Sequence, residues 1–293
     1  MNSSHIPTLV LPVTIMLFAL EVWMIKKRGK TYPWAEVGTS VLAAIGYKMV
    51  NVASGLALAG LYYLVWENRL FTVPMDAWWA WVLLFFGNEF CFYWSHRLSH
   101  ECRWLWASHA VHHSMEHLNL PATYRIGWTV PISGNWMFWL PLMWLGFHPA
   151  AVLLMLSIGF VYQTVLHTEQ VGKLGPFEWI FNTPAHHQVH HAKNRAYLDR
   201  NYGAVLIIFD RLFGTFAKEN PADPCHYGLL TPIGSNNVLR IQFNEWIHMF
   251  KDVRKTRSWR ERFRYLFGRP GWRPRKAGNK SYATGNGSVN QET

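Results

Sequence analysis

Five of the eighteen residues from His96 to His113 are histidine, in the strings HRLSH (His96, His100) and HAVHH (His109, His112, His113). A third string, HHQVHH, brings His186, His187, His190 and His191. Residues three and four apart share one face of a helix, so each string can present its imidazoles in one direction. Gathering eight imidazoles in H-x-x-x-H, H-x-x-H-H and H-x-x-H-H order without a metal would leave several buried polar groups to satisfy. Imidazole suits iron, zinc and copper. One tetrahedral or octahedral ion cannot use eight ligands, so the pattern points to a pair of ions. A zinc hydrolase keeps three or four protein ligands and an open water position. An all-nitrogen set shared by two ions, without thiolates and beside a membrane, fits redox iron and oxygen chemistry instead. His5, His148, His226 and His248 stand alone and His117 follows no repeated spacing, which makes structural roles the simpler reading for them.

The elements that must carry these strings are apolar. Of 293 residues, half are hydrophobic and 17 are Trp. Residues 6–25 hold one charge, Glu21; residues 41–66 hold only Lys48; residues 77–95 hold Glu89, an expensive residue inside a membrane. Residues 128–147 and 149–166 are two further apolar blocks joined at His148-Pro149. A soluble helical core would show polar faces on such helices, and these blocks largely lack them. Trp23, Trp66, Trp78, Trp94, Trp128 and Trp144 lie near block ends, as in an interfacial aromatic belt. The expectation is an all-α integral membrane protein with four or five transmembrane helices and a cytosolic histidine-rich cap holding two metals. Residues 1–75 form anchor helices, 76–218 the metal domain, 219–276 a basic amphipathic cytosolic region and 277–293 a disordered tail. Within this plan residues 185–193 read as a helix, 238–267 as an amphipathic surface helix, and AVLIIFDRLFGTF as helix or strand.

The net charge is +11. Lys26, Lys27, Arg28 and Lys30 follow the first block, and residues 251–280 hold twelve Lys and Arg against two acidic residues. Beside membrane spans this reads as positive-inside topology and attraction to anionic lipid rather than nucleic-acid binding. Counting spans from Lys26–Lys30 puts every clustered histidine on the cytoplasmic side of a bacterial inner membrane or the endoplasmic reticulum. The first block has no basic residues before it and no small-x-small site after it, so it reads as an anchor, not a cleaved signal. Cys91, Cys102 and Cys225 show no C-x-x-C spacing and imply neither a disulfide framework nor a thiolate site. A metal transporter would place His and acidic residues in mid-span; here the histidines fall at span ends.

The stretches FYWSHRLSHE, HAVHHSMEHLNL, HTEQVGKLGPFEWIFNTPAHHQVHHAKNR, DRNYGAVLIIFDRLFGTF and GRPGWRP resemble the fatty acid hydroxylase and sterol desaturase superfamily of membrane di-iron enzymes. The resemblance covers most of residues 60–275 and implies O2-dependent hydroxylation of a lipid, with desaturation as the other outcome on the same scaffold. It implies His96, His100, His109, His112, His113, His187, His190 and His191 as metal ligands. His167 and His186 are then further ligands or supporting groups, and Glu101 orients a ligand. Glu116, Asn119 and Arg125 are candidates for substrate or ligand support, or for caps and surface. Asp199, Asn201 and Tyr202 form a turn or hydrogen-bond a liganding histidine. Glu101, Glu116, Asn119 and Asn201 are the candidate catalytic residues. The match lies nearest an ether-lipid branch that uses tetrahydropterin, from which the run Leu120-Pro121-Ala122-Thr123-Tyr124-Arg125 departs. No G-x-G-x-x-G or C-x-x-C-H string supplies a flavin or haem. Electrons therefore have to come from outside, from a donor protein or a reduced pterin.

Overall fold

The computed structural model describes residues 6–274, with side chains from residue 12 onward; His5 and the 277–293 tail lie outside the described residues. The described chain is helical, with isolated bridges such as Phe181–Leu206 in place of a sheet. Eleven α-helices follow in order: α1 Ile6–Lys27, α2 Trp34–Glu67, α3 Trp78–Glu101, α4 Arg103–His109, α5 Val130–Ser133, α6 Leu140–Leu145, α7 Pro149–Thr164, α8 Pro184–His191, α9 Ile208–Leu212, α10 Val238–Lys255 and α11 Trp259–Phe267. Short 3-10 turns at His112–Ser114 and Leu120–Tyr124 fill the link between α4 and α5.

At 1.5 Å per residue α2 is about 51 Å long, more than the ~30 Å hydrocarbon core of a bilayer. It is the one described helix long and apolar enough to cross a membrane by length and composition, and its apolar window is almost wholly unburied. Leu42, Ile45, Met49, Val52 and Leu56 stand outward along it, and Val82, Leu83 and Phe86 on α3 and Leu154, Ile158 and Val161 on α7 do the same. An exposed apolar surface of this extent marks a membrane or partner face.

Block 128–147 is not one continuous helix, as a single span would be. It is broken into α5, a 3-10 turn at Asn135–Trp139 and α6, with left-handed glycines at Gly134 (φ 83°) and Gly146 (φ 115°). Pro131 and Pro141 open the two short helices, where a missing N–H costs nothing. α7, with 16 residues, is also short of a full crossing. The α6–α7 hairpin still reaches the far end of the bundle, because its tip is bonded to the α2–α3 connection: Leu70 N–H donates to Trp144 O at 2.8 Å and Val73 N–H to Gly146 O at 3.3 Å. A Cβ on Gly146 would meet Phe71 O at 2.3 Å. Gly146→Ala should therefore lower stability by about 2 kcal/mol, read as a fall in melting temperature in detergent.

At the opposite end α1, α2, α3 and α7 converge on the cap. Glu21 of α1 is 3% exposed. It accepts hydrogen bonds from Tyr32 Oη (2.8 Å), Thr168 Oγ1 (2.6 Å) and Leu120 N (3.0 Å). The single charge of the first block thus pins α1 to two cap segments. On the other flank, buried Arg103 joins α4 to α10 through Glu245 and Asp252, each at 3.0 Å. The expected 238–267 helix is split at Thr256–Ser258. Ser258 caps α11 by accepting from Glu261 N, so the S-x-x-E string starts a new helix there. AVLIIFDRLFGTF is neither a long helix nor a strand: only α9 is helical, after the Leu206 bridge.

Candidate metal centre

Nine histidines meet in two adjoining groups. His96, His100, His109, His113 and His190 form one, and His112, His167, His187 and His191 the other; the candidate ligand atoms within each lie within 4.8 Å of one another. The last two turns of α3 supply His96 and His100, and the end of α4 supplies His109. The following 3-10 turn sends His112 to one group and His113 to the other. α8 divides the same way, with His190 in the first group and His187 and His191 in the second. His167 comes from the chain just beyond α7. His186 belongs to neither group. Its ring packs on Phe216 at 5.2 Å, with Nε2 4.0 Å from Glu178.

The distances within the groups are those of a coordination sphere. His96 Nε2 lies 3.1 Å from His109 Nε2, which lies 3.2 Å from His113 Nε2. In the second group the spacings are 3.0 Å for His112–His167, 2.9 Å for His167–His187 and 3.0 Å for His187–His191, all between Nε2 atoms. Two nitrogens at right angles around an ion with bonds of ~2.0–2.1 Å lie ~2.9 Å apart.

Hydrogen bonding between the rings does not account for the whole set. Nδ1 of His96, His167 and His190 faces a backbone carbonyl, of Tyr202 (2.8 Å), Gln163 (2.8 Å) and Arg200 (2.9 Å). A carbonyl only accepts, so those Nδ1 atoms carry the proton and the Nε2 atoms of the neutral rings present bare lone pairs. The His112 ring likewise bonds the Arg125 backbone. Nε2 of His100 and His190 is buried with no protein partner. Lone pairs packed this closely call for a cation, and the donor set fits two transition-metal ions. Carbonyl contacts of this kind are the outer support that fixes histidine rings around a metal.

One loop provides much of that support. Asp199 Oδ1 lies 3.7 Å from His100 Nδ1, Arg200 O holds His190 and Tyr202 O holds His96. The loop takes this shape through two left-handed residues, Asp199 (φ 59°) and Asn201 (φ 55°). Asn201 is buried and faces no ligand group. Its amide donates to His186 O (3.0 Å) and Ala217 O (2.8 Å) and accepts from Ala217 N (2.8 Å). Below it, Asp210 accepts from the N–H groups of Tyr202 and Gly203, both at 2.8 Å, and from Thr215 Oγ1 at 2.6 Å. Burial raises the Asp210 carboxyl to about 6 despite these donors. Asp210 escaped the sequence reading, although a lone acid inside the apolar run AVLIIFDRLF was its signal.

The other three candidate catalytic residues also stand outside the ligand groups. Glu101 pairs with Arg97 (3.2 Å) and Arg269 (3.4 Å). Asn119 caps the 3-10 turn after it by accepting from Ala122 N. Glu116 is exposed, and its backbone N–H donates to Glu36. His117 is also apart from the groups, bonded to Glu36 at 2.6 Å, and His148 caps α7.

Burial holds His109, His112, His113, His187, His190 and His191 well below the ordinary imidazole range, with neighbouring imidazoles adding to the effect. Groups kept neutral in the fold bind protons more readily once unfolded. Their contribution is therefore complete above the unfolded value of ~6.5 and is lost as pH falls below it. Metal-free protein should show a level melting temperature above pH ~7 and a steep decline below ~6.5, measured by thermal unfolding across a pH series.

Two adjoining histidine groups at one end of a helical bundle with an outward apolar surface fit the class of membrane-associated metalloproteins. Residues 81–215 match the fatty acid hydroxylase family. The chain's relatives include alkylglycerol monooxygenase of Homo sapiens, 36% identical over 90% of this chain and 59% of the relative, and of Danio rerio, 35% identical over the same shares. Ornithine lipid hydroxylase of Rhizobium tropici is 34% identical over 64% of this chain and 55% of its own length. The chain thus spans little more than half the length of these curated relatives. No solved structure matches it.

Proposed function

We propose that this protein is a di-iron membrane oxygenase that hydroxylates a lipid: a C–H bond, O2, two electrons and two protons give an alcohol and water. The carrying observation is the pair of all-imidazole groups, with Nε2 atoms 2.9–3.2 Å apart and no thiolate or carboxylate among them. His96, His100, His109, His113 and His190 would hold one iron, and His112, His167, His187 and His191 the other. Iron bound there supplies the O2 activation needed to attack an unactivated C–H bond. The chain's own part is to fix the rings through the carbonyls of Gln163, Arg200 and Tyr202 and to keep bulk water out of a buried cup. His186 has no place in this ligand set.

Relatives named as a monooxygenase of alkylglycerol and a hydroxylase of ornithine lipid support a lipid substrate. The narrower form of the reading is hydroxylation of the ether carbon of an alkylglycerol, which collapses to a fatty aldehyde, with tetrahydropterin as reductant. Purified protein should be given O2, total lipid extract and either tetrahydropterin or a ferredoxin-type donor, and the product masses read. Gain of one oxygen is expected; loss of two hydrogens would replace hydroxylation by desaturation, and no oxidised lipid with any donor would end the reading. Aldehyde from alkylglycerol only with tetrahydropterin would establish the narrower form.

The same reading places α1, α2, α3 and the short α6–α7 pair in the bilayer, four or five passes in all, with the cup facing the cytoplasm. Its support is the outward apolar surface on α2, α3 and α7 and the basic residues that follow α1. Cysteine reporters at Arg28 and Arg254 should label from the same, cytoplasmic side; labelling from opposite sides would refute that topology.

A further inference from the structure

Two arginines are buried in the cap, and among the described residues only one of them forms ion pairs. Arg103 sits between Glu245 and Asp252. Arg125, 1% exposed, donates only to neutral acceptors: Nε to Ser40 Oγ (3.2 Å), Nη1 to Ser114 Oγ (3.2 Å) and Nη2 to Glu36 O (2.9 Å). No described carboxylate forms an ion pair with it. Glu36 is the nearest candidate, but its oxygens are engaged by the His117 ring and the Glu116 N–H. Buried charges are ordinarily paired, because leaving one unpaired is costly.

Arg125 also lines a cavity of about 230 Å³ whose other polar walls include Glu36, Ser114, Glu116, Ser235 and Asn236. Glu116 brings a carboxylate that forms no ion pair among the described residues. The cavity therefore offers a single occupant a guanidinium held in no ion pair and the Glu116 carboxylate, while the Glu36 carboxylate on the same wall is engaged by His117 and the Glu116 N–H. Its place in the fold adds two constraints. Glu36 lies in the first turn of α2, and the helix turns apolar and outward within two turns, at Val41 and Leu42. The segment that forms its wall is also the metal segment: Ser114 follows His113, and the Arg125 backbone bonds the His112 ring.

We propose that this cavity seats the zwitterionic headgroup of the lipid substrate, with Arg125 on its acidic group, phosphate or carboxylate, and Glu116 on its ammonium. The proposal deepens the lipid-hydroxylase reading, rests on it for the word substrate, and is an alternative to its narrower alkylglycerol form, since alkylglycerol carries no charge. A guanidinium offers paired N–H donors to an acid group, and the chain-bearing end of such a lipid would lie on the apolar side of the same border.

The test is binding by the full-length protein in detergent, followed calorimetrically. The probes are dihexanoylphosphatidylethanolamine, dihexanoylphosphatidylglycerol, dihexanoylglycerol and free phosphoethanolamine. The zwitterionic lipid should bind at least about tenfold tighter than the neutral one, a margin typical of a charge-assisted pair. Arg125→Gln should remove that difference. Glu116→Gln changes an exposed side chain that no other residue needs for folding, so it tests the site even if Arg125→Gln fails to fold. It should erase the preference for phosphatidylethanolamine over phosphatidylglycerol. Equal binding of all three lipids, or an unchanged preference in Glu116→Gln, would overturn the proposal. Free phosphoethanolamine binding as tightly as the lipid would assign the site to a soluble zwitterion and overturn the headgroup. If oxidised lipid forms without headgroup selectivity, only this site fails. If selectivity persists with no lipid oxidised, the hydroxylase reading fails instead.

Discussion

His167→Ala should halve the metal content, from two ions to about one per chain, and cut turnover by about 10³-fold or more, on the order of 4 kcal/mol of barrier. His167 is the ring of the four-membered group that comes from outside the three histidine strings. Its Nε2 lies 3.0 Å from His112 Nε2 and 2.9 Å from His187 Nε2, while its Nδ1 is held by Gln163 O. Alanine leaves three nitrogens of that group and a void where the fourth stood. His186→Ala is the paired control. That ring is equally buried and lies inside HHQVHH, but it packs on Phe216 and belongs to neither group. It should keep both ions. Metal analysis by mass spectrometry decides the matter: two ions in His167→Ala, or one in His186→Ala, would reverse the assignment of these two residues.

The pair shows what spacing can and cannot carry. The i, i+3, i+4 rule says which residues of one helix share a face, and it gathered the eight string histidines correctly onto one region. It cannot say which of the two groups a ring joins. In HAVHH and HHQVHH neighbouring rings are divided between the groups, because consecutive residues diverge by about 100° around a helix. Nor can spacing see a lone residue such as His167, which arrives from the end of another apolar helix. The support of the rings was hidden for a different reason. It is made mostly by backbone carbonyls, which have no letter in the sequence, and the left-handed Asp199 and Asn201 that aim two of them read there only as a turn. Hydropathy located the apolar blocks but not their continuity. Gly134 and Gly146 are what break 128–147 into pieces, and a mean over the block conceals them.

Asp210→Ala should do most of its damage at a distance, through this backbone support. The carboxylate satisfies three buried donors: Tyr202 N, Gly203 N and Thr215 Oγ1. Each orphaned donor costs about 1–3 kcal/mol, so a loss of about 3 kcal/mol or more in stability is expected. The larger effect on function comes from Tyr202. Its N–H is held by Asp210 and its carbonyl orients His96, so loosening the loop frees a ring of the five-membered group. Removing such outer support typically lowers metal affinity 10–100-fold. Asp210→Asn, which keeps an acceptor oxygen for part of the set, should fall between wild type and alanine. Activity of the alanine variant should recover substantially when iron is supplied in excess, because the nine rings themselves are intact. Metal titration alongside thermal unfolding separates the two effects. A variant that is destabilised but binds iron with wild-type affinity would show that the loop is held by other contacts, and that Asp210 does not position His96.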